Sequence, residues 1–155
     1  TLILFFITGV SAQASPVEGT LGAGIIIGEP TGLSAKSYIT QTQAFDAALS
    51  YSLRTDSIWL HGDYLHHSEA LSKNVDGGRW VPYGGLGGLL YFSDRNKKQS
   101  SGALIAARAP AGLSFYPTKS SIELFAEIAL IVGIIPATEV SMSGGIGARY
   151  LFQGL

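Results

Sequence analysis

The chain has no cysteine, so no disulfide framework holds it together. It is also poor in charge. Asp, Glu, Lys and Arg make up 14% of its 155 residues, against about 25% in ordinary soluble domains. A formal net charge of −1 offers no basic face, so no nucleic-acid partner is expected. Beyond the first few residues, no apolar run reaches the roughly 18 residues of a membrane-spanning helix. Nor does a Pro/Gly/Ser-rich linker divide the chain, which reads as one domain over residues 15–155.

What it does have is apolar content, 46% of the residues, placed in two distinct ways. Leu2-Ile3-Leu4-Phe5-Phe6-Ile7 is a solid apolar block, followed by the A-x-A triplet Ala12-Gln13-Ala14 and then Ser15-Pro16. This pattern reads as the apolar region and cleavage site of a secretory signal peptide over residues 1–14, truncated at its basic end, with cleavage expected after Ala14. The remaining apolar residues are spread through short segments in which every second side chain is large and aliphatic, the period of a β-strand.

Turn signals divide the rest into eight such segments: 19–28, 33–40, 44–54, 58–67, 80–92, 102–116, 121–132 and 140–152. Most are near the roughly 9–11 residues with which a tilted strand crosses a bilayer. In the third, Phe45, Ala47, Leu49, Tyr51 and Leu53 alternate with Asp46, Ala48, Ser50, Ser52 and Arg54. In the seventh, Ile122, Leu124, Ala126, Ile128, Leu130 and Val132 oppose Glu123, Phe125 and Glu127. The last places Val140, Met142, Ile146, Tyr150 and Phe152 opposite Ser141, Ser143, Gly145, Gly147 and Arg149. Trp59 resists assignment, and the glycines of 80–92 leave that segment's facing open. Pro110, inside the sixth segment, implies a bulge or local break. Tyrosines 38, 51, 64, 83, 91, 116 and 150, with Phe92, Phe115 and Phe152, fall near segment ends, where interfacial aromatic girdles are expected; Tyr38 has an inward alternative by parity.

The composition of the second face separates a membrane barrel from a soluble one. A soluble barrel turns its bulky apolar face inward and carries Lys and Glu outside. Here the face opposite the aliphatics is mostly Gly, Ser, Ala and Thr, with isolated Lys36, Asp46, Arg54, Asp63, Arg108, Glu123, Glu127 and Arg149. Small residues with a few charges of both signs suit the narrow lumen of an eight-stranded barrel, leaving the aliphatic face for lipid. The expected fold is an all-β, eight-stranded antiparallel up-and-down transmembrane β-barrel. Asp46, Arg54, Arg108, Glu123, Glu127 and Arg149 are assigned to a luminal charge network, because a lone buried ion is expensive. Arg108 and Arg149 are expected to pair with Glu123 and Glu127 across neighbouring strands.

Gly147-Ala148-Arg149-Tyr150-Leu151-Phe152 resembles the C-terminal signal Gly-x-x-aromatic-x-aromatic of bacterial outer-membrane barrels. In that family the signal is recognised by the barrel assembly machinery, a role that implies Gly147, Tyr150 and Phe152 here. The chain departs from the pattern in two places: Gly145 stands where a polar residue is usual, and Gln153-Gly154-Leu155 follow the usual terminal Phe. From Gly19 onward the chain also resembles a family of uncharacterised outer-membrane barrel domains of OmpA-barrel or OmpX-like architecture. That likeness rests on Gly22-Ala23-Gly24 to Gly28-Glu29-Pro30-Thr31-Gly32-Leu33-Ser34-Ala35-Lys36, then Asp63-Tyr64-Leu65, then Gly144-Gly145-Ile146-Gly147-Ala148-Arg149-Tyr150-Leu151-Phe152. It implies a monomeric barrel in the Gram-negative outer membrane, surrounded by lipid, with no established activity and no cofactor.

Two other functions were weighed. His66-His67-Ser68 resembles the His-x-Ser pair of lipid A deacylase barrels, with His66 and Ser68 as base and nucleophile and Glu69 or Asp76 as the orienting carboxylate. A secreted soluble barrel holding a small apolar ligand is the other alternative. His61 and Asp63 share a face, but two ligands do not make a zinc site, so no metal is assigned. Tyr83-Gly84-Gly85-Leu86-Gly87-Gly88 lacks the Lys-Ser/Thr of a phosphate loop. Residues 68–79 and 93–101 are the polar segments where a protein partner would dock, at opposite ends of the barrel. If Glu127 neutralises an arginine in the lumen, Glu127→Gln lowers the thermal unfolding temperature; an unchanged temperature in a calorimetric or circular-dichroism melt would refute the pairing.

Overall fold

The computed structural model describes residues 16–93 and 102–153. The expected signal peptide, and the 93–101 segment apart from Ser93, therefore lie outside the described residues. The elements are β1 (Leu21–Glu29), β2 (Thr31–Tyr38), β3 (Gln43–Ser52), β4 (Ser57–His67), β5 (Lys73–Val75), β6 (Gly78–Ser93), β7 (Gly102–Pro117), β8 (Ile122–Ile135) and β9 (Val140–Phe152). All pairings are antiparallel, each long strand with its neighbours in sequence. β9 returns to β1 (Leu21 opposite Phe152) and β4 pairs with β6 (Gly62 opposite Gly88), so the sheet closes on itself into an eight-stranded up-and-down barrel. Closure pairs all eight long strands on both sides, and among the described residues only the three-residue β5 remains as an edge.

Tight turns follow from local chemistry. Between β1 and β2 the Thr31 hydroxyl accepts from Gly28 N (3.1 Å) and donates to Gly28 O (2.9 Å). The β5–β6 hairpin turns through Asp76-Gly77, with Gly77 at φ +93°, a conformation that favours glycine. This small hairpin was not expected within the polar 68–79 segment: Lys73-Asn74-Val75 is too short and too polar to show a period. The break expected at Pro110 appears on one side only. Pro110 keeps its place opposite Ala129 on β8, whereas the ladder to β6 skips Ala109 and Pro110 between the Gly87–Arg108 and Gly84–Ala111 pairs, and a register shift in β7 lies at Ile105/Ala106.

Alternation settles which face is which. Along β3, Ala44, Asp46, Ala48, Ser50 and Ser52 are buried, while Phe45, Ala47, Leu49 and Tyr51 are exposed. The glycine-rich β6 follows the same rule, with Val81, Tyr83 and Leu89 inside and Leu86, Leu90 and Phe92 outside. Trp59 points inward and donates from Nε1 to Ser57 Oγ at 2.8 Å. Tyr83 and Tyr116, expected in the girdles, are buried inside the barrel, and Tyr38 takes the inward position that its parity allowed. Six outward aromatics form three pairs near the end carrying the chain termini, Phe45–Tyr64, Trp80–Phe115 and Tyr150–Phe152, with ring centroids 5.3, 4.5 and 4.9 Å apart, while Tyr51 and Phe92 project outward near the opposite end.

The lumen is layered along the barrel axis. Tyr38, Ala44, Val81, Tyr116 and Leu151 form an apolar cluster at the terminus-bearing end. Trp59, Leu89, Ala106 and Ile131 form another toward the opposite end. The charged side chains lie between the two, in the middle of the strands. Glycine is what lets large luminal residues share this narrow space. Gly112 stands opposite Tyr83 on one side and Glu127 on the other, and a Cβ there would overlap the Tyr83 ring. Tyr83 therefore lies across β7 and reaches β8. Gly112→Val is expected to lower stability by roughly 1–3 kcal/mol, the usual cost of overpacking, read as an earlier midpoint in urea unfolding.

Candidate functional site: the charged lumen

Register places the charges before any side chain is considered. Lys36, Asp46, Asp63, Gly87 and Arg108 occupy successive opposite positions on β2, β3, β4, β6 and β7, and all face inward. Gly87 has no side chain, and a Cβ there would overlap Asp63 Oδ1. The Asp63 carboxylate fills that space and reaches across β6 to Arg108 Nη1 on β7. The other terminal nitrogen of Arg108 holds Glu127 Oε1 at 2.5 Å, and Tyr83 OH donates to Glu127 Oε2 at 2.8 Å.

A second set centres on Glu123, which is fully buried. Its Oε1 accepts from Lys36 Nζ at 2.7 Å and Ser114 Oγ at 2.6 Å, and its Oε2 from Arg149 Nη1 at 3.1 Å. Arg149 is saturated in turn: Nη2 donates to Asp46 Oδ2 at 2.9 Å and Nε to Ser34 Oγ at 2.9 Å, while its guanidinium lies 3.8 Å from the Phe125 ring centroid. Lys36 Nζ also sits about 5 Å over the rings of Tyr38 and Tyr83 (5.0 and 4.8 Å), a cation–π arrangement strengthened by exclusion of water. Tyr38 and Tyr116 share a hydroxyl–hydroxyl hydrogen bond of 2.8 Å.

Of the six residues assigned to the network, five come together: Arg149 with Glu123 and Asp46, and Arg108 with Glu127. Arg54 does not join them. It lies beyond the end of β3, exposed in the turn to β4, where strand parity no longer applies. Lys36 and Asp63, read only as isolated inward charges, complete the pairs. The tyrosine contributions were masked by the glycines around Tyr83 and by the girdle reading of Tyr38 and Tyr116.

The candidate catalytic pair is not assembled. His66 projects from the exposed outer face, and Ser68 lies past the strand end with its backbone N donating to Pro82 O at 2.8 Å. Among the described residues no hydrogen bond joins the two, and Glu69 is engaged by Arg79. His67 points inward, its ring 5.7 Å from that of Tyr38 and 5.3 Å from that of Tyr83. On β9, Gly147 makes room for the Phe125 ring, and Tyr150 and Phe152 are exposed outside.

No protein-family model and no curated protein matches the chain. Among solved structures, the crystal structure of the N-terminal β-barrel domain of Pseudomonas aeruginosa OprF is similar, at 14% identity and a TM-score of 0.65, over 88% of this chain and 100% of that one. The two share a fold. At that identity the match to the OprF barrel carries over no individual residue.

Glu123 faces two cations, so removing its charge leaves both without their principal partner in a dry lumen. Glu123→Gln is expected to lower stability by about 3–5 kcal/mol, and Arg54→Ala in the exposed turn by no more than roughly 0.5 kcal/mol. Paired urea titrations of the folded barrel give both values.

Proposed function

We propose that this protein is an integral outer-membrane β-barrel with a packed lumen and a structural or interaction role. The observation that carries this reading is the inverted distribution of polarity. Leu33, Leu49, Ile128, Leu130 and Ile146 are 45–65% exposed, whereas the charges of the barrel wall are turned inward and paired. A soluble protein rarely leaves a continuous apolar patch of more than a few hundred Å² facing water, and here such residues surround the barrel. In a bilayer that face is solvated by acyl chains, and the closed ladder satisfies every strand. The aromatic pairs at the terminus-bearing end fit the headgroup level.

The lumen speaks against diffusion. Arg149, Tyr38, Lys36, Leu65, His67 and Glu123 are among the largest buried side chains, and they fill the space that a porin leaves to water. The reading includes export by a cleaved signal peptide, insertion by the assembly machinery through the Gly147–Phe152 segment, and a monomeric barrel with its termini on the periplasmic side. The 68–79 hairpin then faces the periplasm and the β6–β7 connection the exterior, so a partner docks on one or the other.

In the native cysteine-free background, Leu49→Cys and Leu130→Cys in whole membranes should resist a water-soluble maleimide, while Ser72→Cys in opened envelopes reacts. An unboiled sample should migrate differently from a boiled one in an electrophoresis gel. A chain fully soluble without detergent, with Leu49→Cys and Leu130→Cys freely labelled, would overturn the proposal.

A further inference from the structure

Asp46 and Asp63 stand directly opposite each other on β3 and β4, 5% and 2% exposed. Each gives one oxygen to an arginine, Asp46 Oδ2 to Arg149 and Asp63 Oδ2 to Arg108. Each leaves its Oδ1 buried without a hydrogen-bond partner. His61, two residues before Asp63 and on the same face, places Nε2 3.8 Å from Asp63 Oδ2. One ligand atom from each of Asp46, His61 and Asp63 lies within 4.8 Å of the others. Unsatisfied carboxylate oxygens away from water are costly, and two on facing residues add mutual repulsion.

The charge count points the same way. Among the described residues, the buried lumen holds four carboxylates (Asp46, Asp63, Glu123, Glu127) against three obligate cations (Lys36, Arg108, Arg149). One negative charge of this set is left uncompensated, and Asp46 and Asp63 are the two carboxylates that each keep an oxygen without a partner.

We propose that Asp46, His61 and Asp63 bind a single divalent first-row transition ion of the Zn²⁺ type. One imidazole nitrogen and two carboxylates form a mixed N/O donor set, which suits Zn²⁺, Fe²⁺ or Mn²⁺ better than the all-oxygen sites of Mg²⁺ and Ca²⁺. With bonds of about 2.0–2.1 Å, ligand atoms of a tetrahedral site stand about 3.3 Å apart, so binding draws the three side chains inward. Arg108 and Arg149 hold the carboxylates in orientation through their Oδ2 atoms, as outer partners do at metal sites. His61 also lines a narrow cavity with Ser50, Trp59, Arg108 and Glu127, with space of about 10 Å³, about one water. Ser50 Oγ there is also buried and unpartnered. The lining of that cavity includes Glu29 and Pro30 at the β1–β2 turn.

The test uses the full-length barrel, stripped with chelator and folded in detergent, with Co²⁺ as a visible-absorption probe and Zn²⁺ as calorimetric titrant. One equivalent per chain is expected, with quenching of Trp59 fluorescence by Co²⁺. His61→Gln and Asp46→Asn should each weaken Zn²⁺ at least about tenfold, and His66→Ala, on the outer face, should leave it unchanged. Circular dichroism and heat-modifiable migration verify that each variant is folded; if one variant fails to fold, the other is read. The inference fails if the wild-type barrel takes up no stoichiometric metal. It fails equally if His61→Gln and Asp46→Asn bind as tightly as wild type, or if the facing carboxylates take up a shared proton in place of any metal.

Discussion

Glu123 is the point on which the rest of the lumen depends. It sits on β8, yet it is satisfied by Lys36 from β2, Ser114 from β7 and Arg149 from β9. Arg149 passes the connection to Asp46 on β3 and Ser34 on β2. Through one carboxylate, strands far apart in sequence are joined across the barrel by charge-assisted bonds from which apolar clusters at both ends exclude water. In such surroundings each bond is strong and each vacancy costly. The aliphatic outer wall is generic by comparison: many combinations of Leu, Ile and Val would serve there, whereas the interior admits few.

The narrowness of the lumen explains the composition around these charges. β1 contributes Ile26 as its one large inward side chain, with Gly22 and Gly24 beside Arg149. Gly87 and Gly112 stand likewise beside Asp63 and Tyr83. The glycine-rich character of the chain thus has a packing cause. At Gly87 and Gly112 the missing Cβ lets a side chain from the neighbouring strand cross over and bond to the strand beyond.

The outer face and the strand count could be read from the chain, because period two needs no knowledge of neighbours. Asp46, Arg108, Glu123, Glu127 and Arg149 could be placed inside for the same reason. Parity states a side but not a height or a neighbour. Arg54 shared the parity of Asp46 and still lies outside, because β3 ends at Ser52. Tyr38, Tyr83 and Tyr116 lay near segment ends, where tyrosine occurs both at interfaces and in cores. The juxtaposition of Asp46 with Asp63 depends on the β3–β4 register, which a single sequence does not display.

The strand-skipping bonds bear on how such a barrel can form. Some pairs form within one hairpin, as Arg108 with Glu127 and Arg149 with Glu123, but others do not: Asp63 needs Arg108 from two strands along the sheet, and Lys36 on β2 meets Glu123 on β8. A partly built sheet therefore leaves part of this set unpaired, while the closed one pairs it. Arg149, on the last strand to emerge, neutralises both Glu123 and Asp46 as β9 meets β1. Closure and the pairing of Lys36 with Glu123 and of Arg149 with Asp46 are then one event, which sets half-assembled forms at a disadvantage and makes β9 the latch of the barrel.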